Sequence, residues 1–245
     1  MLDLEKMCPL LRTVRFLGSK KRLLELIMNT QSFDKDHPLT ALEVMQDAPV
    51  IPVIVVEELE DAVPMAKALL KGGIRMLEVT LRTPKALEVI KAISDQVPGV
   101  IVGAGTVRNP DQALAAKHAG ARFAVSPGFT LNIGRACKDL GMPLLPGVAT
   151  AGEIMQAQDE GFNELKFFPA LQAGGVKMLQ AFSGPFVDVK FCPTGGISTA
   201  NAHEFLALKN VICVGGSWLV PQKAIAEKDW DLISRLAKEA KNLAT

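Results

Sequence analysis

The sequence predicts an α/β protein of the (β/α)8 TIM-barrel class, and three observations carry that expectation. A short β-branched run, a Gly/Pro/Thr-rich turn and a helical stretch recur in that order from residue 50 onward. The length of 245 residues suits one α/β barrel. Small and polar residues collect in the turns that follow the runs, where such a barrel carries its active site.

Eight runs mark the strands: "VIPVIVV" from 50, "RMLEVTL" from 75, "VIVGAGT" from 100, "RFAVSP" from 122, "PLLPGV" from 143, "ELKFFP" from 164, "DVKFCP" from 188 and "VICVGG" from 211. They fall about 23 residues apart, the spacing of successive βα units on a parallel sheet. Between them lie "LEDAVPMAKALLKGG", "PKALEVIKAISDQ" and "NPDQALAAKHAG", whose apolar residues recur at helical spacing and which tend to stop at Gly. Residues 39–47 read as an N-terminal helix covering the bottom of the barrel. An open parallel sheet is the competing architecture. Residues 39–245 form one domain on this reading, and residues 1–38 an N-terminal extension of uncertain role.

Composition narrows the function classes. Apolar residues make up 49% and charged residues 22%, an ordered globular balance. With 27 Lys+Arg against 26 Asp+Glu, the net charge of +1 gives no electrostatic case for nucleic acid or an acidic membrane surface, so a small molecule is the expected partner. Cys8, Cys137, Cys192 and Cys213 form no CxxC pair, which favours a reduced, cytoplasmic setting over a disulfide framework. The longest apolar run, "VIPVIVV", is far short of the roughly 20 residues that span a bilayer. The first thirty residues carry basic and acidic side chains but no secretory h-region, and Met28 is an alternative natural start.

The chemistry is read from strand alternation. In "RMLEVTLRT", Leu77, Val79 and Leu81 share the face that packs under the helices, which turns Glu78, Thr80 and Arg82 the other way, into the barrel. In "ELKFFPA" the same parity puts Lys166 and Phe168 on one face and Phe167 on the other. If the shared face is the lumen, Lys166 is an interior amine beside an aromatic wall and near Glu78 and Arg82. An amine withdrawn from water beside a second cation is more easily deprotonated, and a neutral amine attacks ketones. The resulting protonated Schiff base is an electron sink that lets an adjacent carbon–carbon bond break, with Glu78 as the carboxylate able to move the protons. A buried Lys166–Glu78 ion pair of purely structural role is the alternative.

Two late turns end in paired glycines, "CPTGGIS" at 192–198 and "CVGGSW" at 213–218. Each follows a strand and precedes a helix, so free backbone N–H groups and a helix N-terminus are placed to hold a phosphate. The alternative is that these glycines serve only tight turns. His37, His118 and His203 are widely separated and suggest no metal site. "GAGT" lacks the GxGxxG spacing of a dinucleotide loop.

Taken together, "PVIVVEELEDAVPMAKALLKGGIRMLEVTLRT", "VGAGTV", "SPG", "KFFPA", "GGVK", "FCPTGGIS" and "GGSWLVP" resemble the 2-keto-3-deoxy-6-phosphogluconate (KDPG) aldolases, over about residues 40–240. These are class I, Schiff-base enzymes of the Entner–Doudoroff pathway, also known for 4-hydroxy-2-oxoglutarate aldolase activity. The resemblance implies that Lys166 is the Schiff-base lysine and Glu78 the acid/base. It implies that Arg82 and Thr106 hold the pyruvate carboxylate, that Pro127 and Phe168 line the pyruvyl pocket, and that Thr194 contacts substrate. Gly195, Gly196, Gly216 and Ser217 match the phosphate-binding positions. A homotrimer without metal or organic cofactor is implied as well. The competing readings are an aldolase acting mainly on 4-hydroxy-2-oxoglutarate or the galactonate epimer, a non-catalytic assembly subunit on an aldolase scaffold, and a phosphosugar-binding barrel without chemistry.

Overall fold

The computed structural model describes residues 38–243. The extension read at 1–38 lies, but for its last residue, outside the described residues. The first element is α1 (Ala41–Gln46), where the sequence predicts a helix. Thr40 caps it reciprocally with Glu43: the Thr40 hydroxyl accepts from the Glu43 N–H and the Glu43 carboxylate accepts from the Thr40 N–H, so donors orphaned at the helix start are satisfied.

From β1 (Val50–Ile54) the chain alternates strand and helix: α2 (Leu59–Lys71), β2 (Met76–Thr80), α3 (Ala86–Gln96), β3 (Ile101–Gly105), α4 (Pro110–His118), β4 (Ala124–Val125) and α5 (Leu131–Asp139). The fifth run is divided into β5 (Leu144–Leu145) and β6 (Gly147–Val148). Then come α6 (Ala151–Asp159), β7 (Glu164–Phe167), α7 (Gly175–Phe182), β8 (Lys190–Pro193), α8 (Ala202–Leu206), β9 (Val214–Gly216), α9 (Gln222–Ala226) and α10 (Trp230–Lys241). All eight runs read from the sequence hold a strand.

Every strand pairing is parallel. The strands form a six-stranded sheet, β5-β4-β3-β2-β1-β9, and a three-stranded sheet, β6-β7-β8. The expected single eight-stranded sheet is thus recorded as two, and the break falls at Pro146, which has no N–H to give a ladder. Neighbours follow sequence order, and the last strand, β9, lies beside the first, β1, in register Ile51↔Gly215. That order lacks the reversal of a doubly wound open sheet. Two isolated parallel bridges, Phe191↔Val211 and Thr194↔Gly215, join the β8 and β9 segments.

Packing follows the alternation. Leu77, Val79, Val102, Ala104, Leu165 and Phe167 belong to one buried cluster with helix residues such as Met65, Leu69, Val89, Ile90 and Leu179. Phe167 meets Phe182 and Phe191 edge-to-face, with ring centroids 6.1 and 6.4 Å away; burying one such ring contributes roughly 1.5–3 kcal/mol. Gly72 lets α10 close onto the end of α2, since a Cβ there would overlap that of Ala237. At the opposite end of the strands from their turns, Arg75 pairs with buried Asp47, and Lys241 donates to the Asp47 carbonyl. Among the described residues no helix is long and apolar enough to cross a membrane.

Candidate active site

With Leu77, Val79, Leu165 and Phe167 committed to the helix-side core, Glu78 and Lys166 must point to the other face of their strands. They meet there: Lys166 Nζ lies 3.3 Å from Glu78 Oε1. β2 belongs to the six-stranded sheet and β7 to the three-stranded one, so this pair spans the two sheets. Lys166 is 5% exposed and Glu78 3%, so each is nearly removed from water and is the other's compensating charge. The Lys166 ammonium also sits 5.3 Å from the centroid of the Phe168 ring, the aromatic wall expected from the alternation.

The carboxylate of Glu78 is seated over Gly105: a Cβ at residue 105 would overlap Oε1. The next residue, Thr106, has a left-handed backbone, φ 57°, which is costly for a β-branched side chain. In that conformation its hydroxyl accepts a hydrogen bond of 3.2 Å from Arg82 Nε. The two groups expected to hold a carboxylate are therefore joined directly, just beyond the ends of adjacent strands β2 and β3.

Thr194 is buried just beyond β8, and Gly215 is bare beside it, since a Cβ there would overlap the Thr194 hydroxyl. Gly195 and Gly196 take φ +106° and +74°, accessible to glycine at little cost. Gly195 packs against Pro169 and Ala170, in the turn that follows Phe168. Gly216 faces the Trp218 ring closely enough that any side chain would collide with it. Among the described residues the N–H groups of Gly196 and Ser217 donate no hydrogen bond, so these donors are open to an anion. One expectation is corrected here. The glycine pairs do not run straight into helices: α8 starts at Ala202 and α9 at Gln222, after intervening turns, so loop N–H groups and not a helix terminus stand beside them.

Pro127 follows β4 in the turn Ser126–Gly128, whose Ser126 hydroxyl donates to the Gly128 carbonyl at 2.8 Å. Arg82, Thr106, Pro127, Phe168, Thr194 and Ser217 all stand just beyond the C-terminal end of their strands. That common level is where an α/β protein of this kind gathers its reactive groups.

Several participants escape sequence reasoning. Gly105, Gly147 and Gly215 are indispensable only because of what crosses over them, and nothing in their local sequence reports it. Cys192 pairs in register with Lys166. Burial, the neighbouring Cys192 thiol and the charge of Glu78 together push the Cys213 thiol well above its ordinary range, which places an un-ionised Cys213 thiol near the carboxylate. Among the described residues no group of three or more His, Cys, Asp or Glu is arranged to hold a metal ion.

Comparison with known proteins extends this geometry. A sequence model described as KDPG and KHG aldolase matches residues 42–236. The chain is 54% identical over 206 residues to the KHG/KDPG aldolase of Escherichia coli, covering 84% of this chain and 97% of that protein. It is 53% identical over 206 residues to the 2-dehydro-3-deoxy-phosphogluconate aldolase of Dickeya dadantii, again over 84% and 97%. Among solved structures it is similar to a KDPG aldolase from Legionella pneumophila with pyruvate captured as a covalent carbinolamine. The TM-score there is 0.82 at 50% identity, covering 83% of this chain and 99% of that one.

Proposed function

The chain belongs to the KDPG and KHG aldolase family, and from that premise we propose that it cleaves 2-dehydro-3-deoxy-6-phosphogluconate to pyruvate and glyceraldehyde 3-phosphate through an imine on Lys166. The observation that carries the reading is the buried amine 3.3 Å from a buried carboxylate. A proton passing from Lys166 to Glu78 across that contact frees the amine. The free amine then attacks C2 of the keto acid, and the protonated Glu78 returns its proton to the developing oxyanion, giving a carbinolamine. Loss of water from the carbinolamine yields the protonated imine.

The imine nitrogen draws the electrons of the C3–C4 bond as Glu78 takes the C4 hydroxyl proton. Glyceraldehyde 3-phosphate leaves, C3 of the remaining enamine is protonated, and water releases pyruvate and the amine. The electron sink is the protein's own nitrogen, so this route draws on no metal or organic cofactor. Arg82 and Thr106 hold the keto acid carboxylate, with the guanidinium supplying a charge-assisted donor. Phe168 and Pro127 line the pocket of the pyruvyl portion, and Thr194 contacts substrate. The phosphate is received at Gly195, Gly196, Gly216 and Ser217, by the open N–H groups of Gly196 and Ser217 over bare glycine backbone.

Residues 39–245 constitute a single aldolase domain, in which the two parallel sheets close through Pro146 and the β8–β9 bridges into one (β/α)8 barrel, with α1 across its bottom. The assembly is a homotrimer in the cytoplasm, the former measurable by light scattering. A second substrate, 4-hydroxy-2-oxoglutarate, is favoured by the double name of the Escherichia coli relative. A non-catalytic scaffold role is disfavoured by the interior Lys166–Glu78 pair, which costs stability relative to apolar packing. Pyruvate release from the phosphorylated substrate tests the proposal: wild type turns over and Lys166→Ala does not, whereas equal rates for the two proteins contradict it.

A further inference from the structure

Strand β3 carries two bare positions on one face, Gly103 and Gly105, and side chains from both neighbouring strands lie across them. Glu78 of β2 reaches over Gly105, and from the other side the ring of Phe123 covers Gly103, where a Cβ would overlap it. Phe123 stands just before β4, and its carbonyl accepts from the Ala104 N–H at 3.0 Å, which fixes its backbone against β3. It is fully buried, yet it lies outside the helix-side cluster to which the next residue, Ala124, belongs. Alternation therefore turns the ring to the face that Glu78 and Lys166 share. The register partner of Glu78 is Gly103, not Gly105. An aromatic ring thus fills the bare position directly opposite Glu78, and the carboxylate rests over the next one, nearer the C-terminal end of β3. There its Oε1 lies 3.3 Å from Lys166 Nζ.

We propose that Phe123 is a positioning residue for Glu78: its ring occupies the resting place over Gly103 and so holds the carboxylate at the level of the Lys166 amine. The proposal rests on the imine reading above, in which Glu78 moves the protons. Phe123 acts through Glu78 and takes no part in the bonds that change. Its ring is closely packed and offers no hydrogen-bond donor, so it denies the carboxylate both space and a partner below the amine. Without the ring, Glu78 gains a second position over Gly103, out of line with the amine. A displacement of about 1 Å in a reacting group costs on the order of 100-fold in rate.

The test is deuterium exchange into the methyl group of pyruvate in heavy water, a proton transfer that accompanies interconversion of imine and enamine. The rate is divided by the number of chains that borohydride traps at saturating pyruvate, so that unfolded chains do not enter it. Phe123→Ala is expected to lower the rate per trapped chain at least about tenfold, within the range of a positioned acid/base. Adding Gly103→Leu returns a side chain to the vacated space from β3 and should restore most of the loss. Phe123→Leu uncovers only part of Gly103 and should lower the rate in the same direction by about threefold; it reads the same quantity should Phe123→Ala fail to fold. Fewer trapped chains with a wild-type rate per chain would make the ring a structural element only, and overturns the proposal while leaving the imine standing. A loss that Gly103→Leu does not restore also overturns it, because filled space is then not what holds Glu78. Wild type that forms no pyruvate adduct overturns the imine and this inference together.

Discussion

Glu78 Oε1 fills the space that a side chain at Gly105 would occupy. The carboxylate that faces Lys166 is therefore held from behind by bare backbone on the next strand, in register two residues beyond its own partner Gly103. Gly105→Ala forces Glu78 to turn away from the amine. Turnover should fall by about 100-fold, within the range that a positioned acid/base contributes, and the overpacking should cost about 1–3 kcal/mol in urea denaturation. Unchanged turnover in a folded Gly105→Ala protein contradicts the placement of Glu78.

The buried ion pair makes a stability prediction that is independent of activity. Lys166→Met strands the Glu78 carboxylate in a dry site and should destabilise by about 3–5 kcal/mol near neutral pH. The double variant Lys166→Met/Glu78→Gln removes the stranded charge and should recover part of that loss. Chemical denaturation of wild type, Lys166→Met, Glu78→Gln and the double variant measures both values. Additive effects of the two substitutions would show that the groups do not compensate each other.

Gly196 has φ +74°, and a Cβ there would press on Leu171. Gly196→Ala should therefore displace the loop N–H groups proposed to receive the phosphate. Its kcat/KM should drop at least about tenfold more for the phosphorylated substrate than for 4-hydroxy-2-oxoglutarate, the loss of about one good charge-assisted hydrogen bond. An equal loss on both substrates would assign the loop a structural role alone.

Burial pushes the Cys137 thiol up to about 11. The folded protein keeps a proton there that the unfolded chain releases nearer pH 9, so the stability that this thiol contributes is full below pH 9 and declines as pH rises towards 11. Its reactive thiolate is correspondingly scarce at pH 8. Wild type should lose stability between pH 9 and 11 that Cys137→Ala does not lose, measured by urea denaturation across that range. An equal pH dependence for the two proteins contradicts the burial argument.

Strand alternation made the centre of the site legible. In "RMLEVTLRT" and "ELKFFPA" an apolar residue on one face dictates which polar residue takes the other, and so Glu78, Lys166 and Phe168 could be placed together before any contact was known. The eight strand runs were legible for the same reason, because β-branched clusters and Gly-bounded helices act over a few residues. The division of the fifth run at Pro146 was not, since a missing N–H matters only once the neighbouring strand is specified. The same holds for Gly105, Gly147 and Gly215. Their lack of a side chain answers to Glu78, Pro127 and Thr194, which are remote in sequence. The distance between the glycine pairs and α8 or α9 was hidden because the intervening residues form turns that carry no periodicity.

The most direct test of the account is borohydride reduction of the wild-type protein in the presence of pyruvate, followed by peptide mapping. One reduced pyruvyl group per chain, located on Lys166 and absent from Lys166→Ala, is the predicted result. An unmodified Lys166, or a modification shared among surface lysines, would contradict it.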